Sequence, residues 1–141
     1  MSPCDFPTGK HAAVLLQGKA SGVVGSAYWT ASRAGLLALG MYLAGERKSV
    51  LKKAIVGSVG VEAAVIGSVL LTGDVPSARA AVSANPLAIA ATYLARSALI
   101  AGSLRLAGER EHAWRNALAG AAVIELTVLA WAHRCRTYGD A

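Results

Sequence analysis

Four ionisable residues stand alone inside long apolar runs: Arg33, Glu62, Arg96 and Glu125. A carboxylate in such surroundings can exchange a proton, hold a cation, or serve as general acid or base, and an arginine beside it supplies a fixed counter-charge. Their spacing is ordered. Arg33 and Arg96 lie 63 residues apart, as do Glu62 and Glu125, and Leu43-Ala44-Gly45-Glu46-Arg47 recurs letter for letter as Leu106-Ala107-Gly108-Glu109-Arg110 at the same offset. From Arg33 to Ala63 the two copies agree at 11 of 31 positions, well above what an Ala/Leu-rich composition gives by chance. The chain therefore reads as a tandem duplication.

Each copy is an apolar run, a short charged turn and a second apolar run. If the chain folds back at the Gly-Glu-Arg turn, Arg33 and Glu62 stand at one height, and so do Arg96 and Glu125. Each pair then lies roughly 15 residues from its turn, or about 20 Å along a helix axis. An arginine is thus expected opposite a glutamate in each hairpin, close to the middle of a bilayer. The spacing leaves open whether each arginine meets the glutamate of its own hairpin or that of the other copy.

The elements that must carry these residues follow from composition. The 141 residues are 55% hydrophobic and only 16% charged, with a mean hydropathy of +0.47, too little polar surface for the outward faces of a soluble helical bundle. Four apolar runs, Gly22 to Ala44, Ala54 to Thr72, Leu87 to Ala107 and Ala117 to His133, are each near the 17 to 25 residues that span a bilayer. The expected fold is an all-α integral membrane four-helix bundle built from two helical hairpins. Its divisions are a lead-in over 1–21, expected to lie at the interface, a first hairpin over 22–72, a connector over 73–86, a second hairpin over 87–133 and a polar tail over 134–141. With two spans per copy, both copies keep one orientation and are related by an axis along the membrane normal.

No single span inserts with much to spare. The second holds nine strong apolar residues at about −0.3 to −0.6 kcal/mol each, against about +3 kcal/mol for Glu62. Insertion as a hairpin, each charge near its opposite, is the easier route. Small-residue pairs four apart, Ala31/Gly35 and Ala98/Gly102, and the Gly60, Ala64, Ser68 stripe let helix backbones approach closely. With a bundle this thin, they predict a homo-oligomer. Ser49 is placed to cap the second helix and Pro86 to open the third.

The net charge of +6 and pI near 9.8 do not imply nucleic acid, because the basic residues sit in the turns and at the chain ends, where a membrane protein meets phospholipid head groups, and no aromatic-basic stripe accompanies them. Six Lys/Arg in the two turns weakly favour turns in the cytoplasm of a bacterial-type inner or plasma membrane. Trp29, Thr30, Thr92, Tyr93 and Thr127 lie near the depth of the charges and are expected to line a polar pocket with them. His11, His112 and His133 fall at apparent membrane edges, far apart and without metal-ligand spacing. No cofactor and no metal are expected. Cys4 and Cys135 leave a disulfide between the ends open.

The segments around Glu62 and Glu125, Gly-Ser-Val-Gly-Val-Glu-Ala-Ala and Gly-Ala-Ala-Val-Ile-Glu-Leu-Thr, resemble the carboxylate helix of rotary ATPase ring subunits, which are also hairpins. The likeness covers about ten residues per copy and stops there: the first helices lack a dense glycine repeat, and an arginine faces each glutamate. It implies that a glutamate so placed can carry an ion. Three functions fit: a channel or transporter relaying a proton or cation through Glu62 and Glu125, with Arg33, Arg96, Trp29 and Tyr93 completing the site; a membrane enzyme acting on a lipophilic small molecule, with Glu62 or Glu125 as its catalytic acid or base; and a structural subunit whose ion pairs pin the hairpins.

Overall fold

The chain is helical wherever the sequence runs without proline or a Gly-charged turn. The computed structural model describes residues 10–73 and 85–139, with backbone only at 132 and 135–139. It contains five helices, and no strand among the described residues: α1 (Lys10–Leu16), α2 (Ala20–Leu43), α3 (Val50–Thr72), α4 (Pro86–Leu106) and α5 (Ala113–Gly139). The protein is all-α. Three of its helices, α3, α4 and α5 over Ala113–Trp131, are long and apolar enough to cross a membrane, which marks an integral membrane protein. Their outer faces agree, with Leu71, Leu87 and Leu126 exposed as lipid-facing residues are.

The expectation of four equally apolar spans is corrected at α2. Its 24 residues suffice in length, but Ser21, Ser26, Thr30, Ser32 and Arg33 dilute it, and it is not among the helices apolar enough to cross alone. α2 packs on α3 and α5, and α4 likewise packs on α3 and α5. Between them lie Leu37 and Met41 of α2 and Ile100 and Leu104 of α4, all fully buried, with Ala54, Ala117 and Ala121 from α3 and α5.

Glycine sets how closely these helices approach. A Cβ on Gly40 would stand 2.5 Å from Ala119 O and 2.7 Å from Gly120 Cα, so α2 and α5 cross backbone to backbone there. Gly57 leaves room for Ile100, and Gly60 for Ser103. The predicted pairs at Ala31/Gly35 and Ala98/Gly102 are not at these crossings: all four residues are exposed, and nothing lies within 4 Å of a Cβ built on Gly35 or Gly102.

Both turns close alike. Gly45 (φ +98°) and Gly108 (φ +85°) take the left-handed backbone. Glu46 N–H then donates to Met41 O at 3.0 Å, and Glu109 N–H to Leu104 O at 2.8 Å, the bond that ends a helix in a Schellman motif. Ser49 does not cap α3 as expected. Its own backbone is left-handed and its side chain makes no cap bond; Glu46 Oε1 instead accepts from Arg47 N–H and Lys48 N–H, each at 3.0 Å. Asn85 does cap α4, accepting from Ala88 N–H at 2.8 Å, with Pro86 in its first turn.

At the ends, α1 folds back on α2 and α3, so the lead-in holds a packed helix, and α5 runs on to Gly139 through most of the expected polar tail. Cys4 and the connector residues Asp74, Pro76, Ser77 and Arg79 lie outside the described residues, as does the side chain of Cys135.

Candidate functional site

Each arginine meets the glutamate of its own hairpin. Arg33 Nη1 is 3.1 Å from Glu62 Oε2, and Arg96 Nη1 is 2.7 Å from Glu125 Oε2. The equal heights read from the spacing are thus realised, and an ion pair forms across α2/α3 and across α4/α5.

The surroundings of the two pairs differ. Glu62 is 5% exposed and is held by three side chains. Besides Arg33, Ser26 Oγ donates to Oε1 at 2.8 Å, and His11 Nε2 lies 2.6 Å from the same oxygen. Arg33 also donates to Ser58 O at 3.3 Å. His11 stacks on Trp29, with centroids 6.2 Å apart. Glu125 is partly buried and bonded by Arg96. At the same offset from Ser26 stands Ile89, which has no hydroxyl to give.

His11 is a correction to the sequence reading, which set it at a membrane edge. It is 8% exposed, because Gly22 and Gly25 open a seat for α1. A Cβ on Gly25 would come within 2.8 Å of His11 Cβ, and one on Gly22 would run into the backbone of Leu15. Gly18, with φ +75°, makes the turn that folds α1 back. His11 Nδ1 is the one buried side-chain nitrogen or oxygen without a hydrogen-bond partner among the described residues. Ser26 had a readable signal: seven residues before Arg33, it lies on the same helix face. His11 had none, since its position depends on a fold-back set by glycines.

The expected ring and hydroxyl pocket does not form around both glutamates. Trp29 is in place through His11, but Tyr93 Oη donates to Leu118 O at 2.8 Å. Thr92 and Thr127 donate to carbonyls of their own helices, Ala88 O and Val123 O, the usual retreat of a hydroxyl in an apolar helix. An open apolar groove of about 510 Å³ does run between α1, α2 and α3, and Ser26 and Thr30 are its hydroxyl-bearing residues.

A second buried carboxylate, Glu46, lies outside the apolar segments. Its Oε2 accepts from Asn116 Nδ2 and from Lys53 Nζ, each at 2.9 Å, and Arg115 Nη2 lies 3.5 Å away. The turn of the first hairpin is thereby tied to the start of α5. Glu109, correspondingly, pairs with Lys52 at 3.1 Å and lies 3.9 Å from Lys53. The amide of Asn116, then the Lys53 ammonium and the Lys48 N–H, hold the Glu46 carboxyl down at about 2, against an ordinary 4.5. Because the folded value is lowered, this stabilisation is complete above about pH 4.5 and is lost as pH falls toward 2. The stability advantage of wild type over Glu46→Gln, followed by thermal unfolding in detergent, is expected to be constant from neutrality to about pH 4.5 and to shrink below it.

Among the described residues, no three His, Cys, Asp or Glu side chains are placed to hold a metal ion. Fold and site together define a class, an all-α integral membrane protein with buried arginine-glutamate pairs. No protein family, curated protein or solved structure matches the chain.

Proposed function

We propose that this protein is a small membrane transporter in which Glu62 and His11 relay a proton, with Arg33 as fixed counter-charge and Ser26 orienting the carboxylate. The observation that carries the reading is the 2.6 Å contact between His11 Nε2 and Glu62 Oε1 at a buried position. Two groups that both titrate, joined by a short hydrogen bond, can pass a proton between them, which a carboxylate facing arginine alone does poorly. A metal cation is the weaker cargo: both oxygens of Glu62 already accept bonds, and the arginine cancels its charge. Glu125 with Arg96 then pins the second hairpin in register.

The architecture proposed with this function is a four-helix bundle of duplicated hairpins. Its support is that buried residues recur at the 63-residue offset, Leu37 with Ile100, Met41 with Leu104 and Ala54 with Ala117. α2 spans the membrane as the fourth helix, sheltered by α3 and α5, and the basic turns face the cytoplasm. The open faces at Ala31/Gly35 and Ala98/Gly102 receive a second copy. Accordingly, Gly35→Leu and Gly102→Leu are expected to leave the subunit folded and to reduce oligomers in detergent, as read by light scattering.

The function is tested by proton uptake into liposomes containing purified protein. Uptake should fall at least about tenfold, equivalent to 1.4 kcal/mol in the barrier, in both Glu62→Gln and His11→Gln. A His11→Gln variant that folds and carries protons at the wild-type rate refutes the relay.

A further inference from the structure

The groove between α1, α2 and α3 connects the Glu62 cluster to the outside of the helices. Leu15, Val23, Ala27 and Ile55 make its apolar walls. Ser26, in the same wall, donates to Glu62 Oε1 at 2.8 Å, so the groove lies one hydrogen bond from the buried carboxylate. It is open along its side, toward lipid if α2 and α3 span the membrane, and about 510 Å³ falls in the range of small-molecule sites.

A second, independent observation points to a ligand. His11 lies one helical turn before Leu15 on α1, and its Nδ1 is buried with no partner among the described residues. Buried polar atoms in native proteins nearly always have one. The cluster therefore keeps unfilled hydrogen-bonding capacity beside an apolar channel from the bilayer.

Charge selects the head group. Arg33 cancels Glu62, and His11 adds either nothing or one positive charge. α2 carries no acidic residue, α3 none but Glu62, and α1 adds only Lys10, which is exposed. Glu125, on α5, is paired with Arg96. No net negative charge remains for an amine, whereas a weak acid can cross the bilayer neutral and leave its anion near Arg33.

We propose that the groove binds a single-chain carboxylic acid drawn from the bilayer, its chain against Leu15, Val23 and Ile55 and its head at Ser26. This rests on the proton-relay reading and gives that relay its substrate. The acid's O–H bond breaks, an N–H bond forms at His11 Nδ1, and the products are a carboxylate and an imidazolium hydrogen-bonded to Glu62.

The test uses full-length protein in nanodiscs with Trp114→Phe and Trp131→Phe, so that Trp29 alone reports, and a brominated 16-carbon fatty acid as quencher. Quenching should saturate, unlabelled acid should relieve it, and the methyl ester should bind at least about tenfold more weakly. Ala27→Phe, which fills the groove, should abolish the saturable phase, and so should Thr30→Leu if the first variant misfolds. Quenching that rises linearly with probe, or is the same for acid and ester or in a folded groove variant, overturns the proposal. Proton uptake with and without added acid separates the two ideas. Uptake that persists without saturable binding sinks the groove site alone. Saturable binding with no uptake in either condition keeps the site and sinks the relay.

Discussion

Gly40→Leu is expected to destabilise the protein more than any other single substitution on the helix surfaces, by about 3 kcal/mol or more. Overfilling a packed interior typically costs about 1–3 kcal/mol because side chains are forced off their rotamers. Here the obstruction is backbone. A Cβ on Gly40 meets Ala119 O at 2.5 Å and Gly120 Cα at 2.7 Å, and neither can rotate away, so α2 and α5 must separate. Leu37, fully buried next to Gly120, would lose its seat in the same movement. The matched control is Gly102→Ala, which has nothing within 4 Å and should be neutral or stabilising by up to about 1 kcal/mol through helix propensity. Unfolding in mixed detergent micelles reads both. Similar losses in the two variants would mean that the α2/α5 crossing is not at Gly40.

Arg33→Leu should cost about 3–5 kcal/mol, the usual penalty for removing one partner of a buried ion pair. Glu62, at 5% exposure, would keep Ser26 and His11 but lose its fixed positive charge. Replacing both charges, as in Arg33→Leu/Glu62→Leu, should recover most of the loss, because well-packed apolar residues often serve as well as a buried pair. The same double variant should carry no protons. Stability and transport are thereby separated: a pair needed only for register leaves the double variant stable and active. A double variant as unstable as the single one would show that something other than the stranded carboxylate causes the loss.

Much of this arrangement was legible in the sequence, and the part that was not has a physical reason. The register of Arg33 with Glu62 and of Arg96 with Glu125 could be read because a helical hairpin fixes height by distance from its turn. Pro86 at the start of α4 was legible for a similarly local reason, since proline suits a first turn. The inequality of the two pairs was not, because it depends on His11, which reaches Glu62 only through a fold-back at Gly18 and seats at Gly22 and Gly25. Glu46 was misread for the opposite reason. A charged turn looks solvated in sequence, whereas here the Schellman bond from Glu46 N–H to Met41 O turns the chain so that its carboxylate meets Lys53 and Asn116. Lys53 and Asn116 stand exactly 63 residues apart, so the duplication itself held the hint. The small-residue pairs were read as contacts within the subunit, but spacing alone does not say which partner a small face receives.

The central claim is that the duplicated hairpins have diverged, so that the first exchanges protons at Glu62 and the second keeps Glu125 for structure. The most direct test compares Glu62→Gln with Glu125→Gln for proton uptake in matched liposomes, after both are shown to be folded and equally incorporated. Uptake should fall at least about tenfold in Glu62→Gln and stay within about threefold of wild type in Glu125→Gln, where tenfold corresponds to 1.4 kcal/mol. Equal losses in the two variants would contradict the account and restore a symmetric site in which both carboxylates carry the ion.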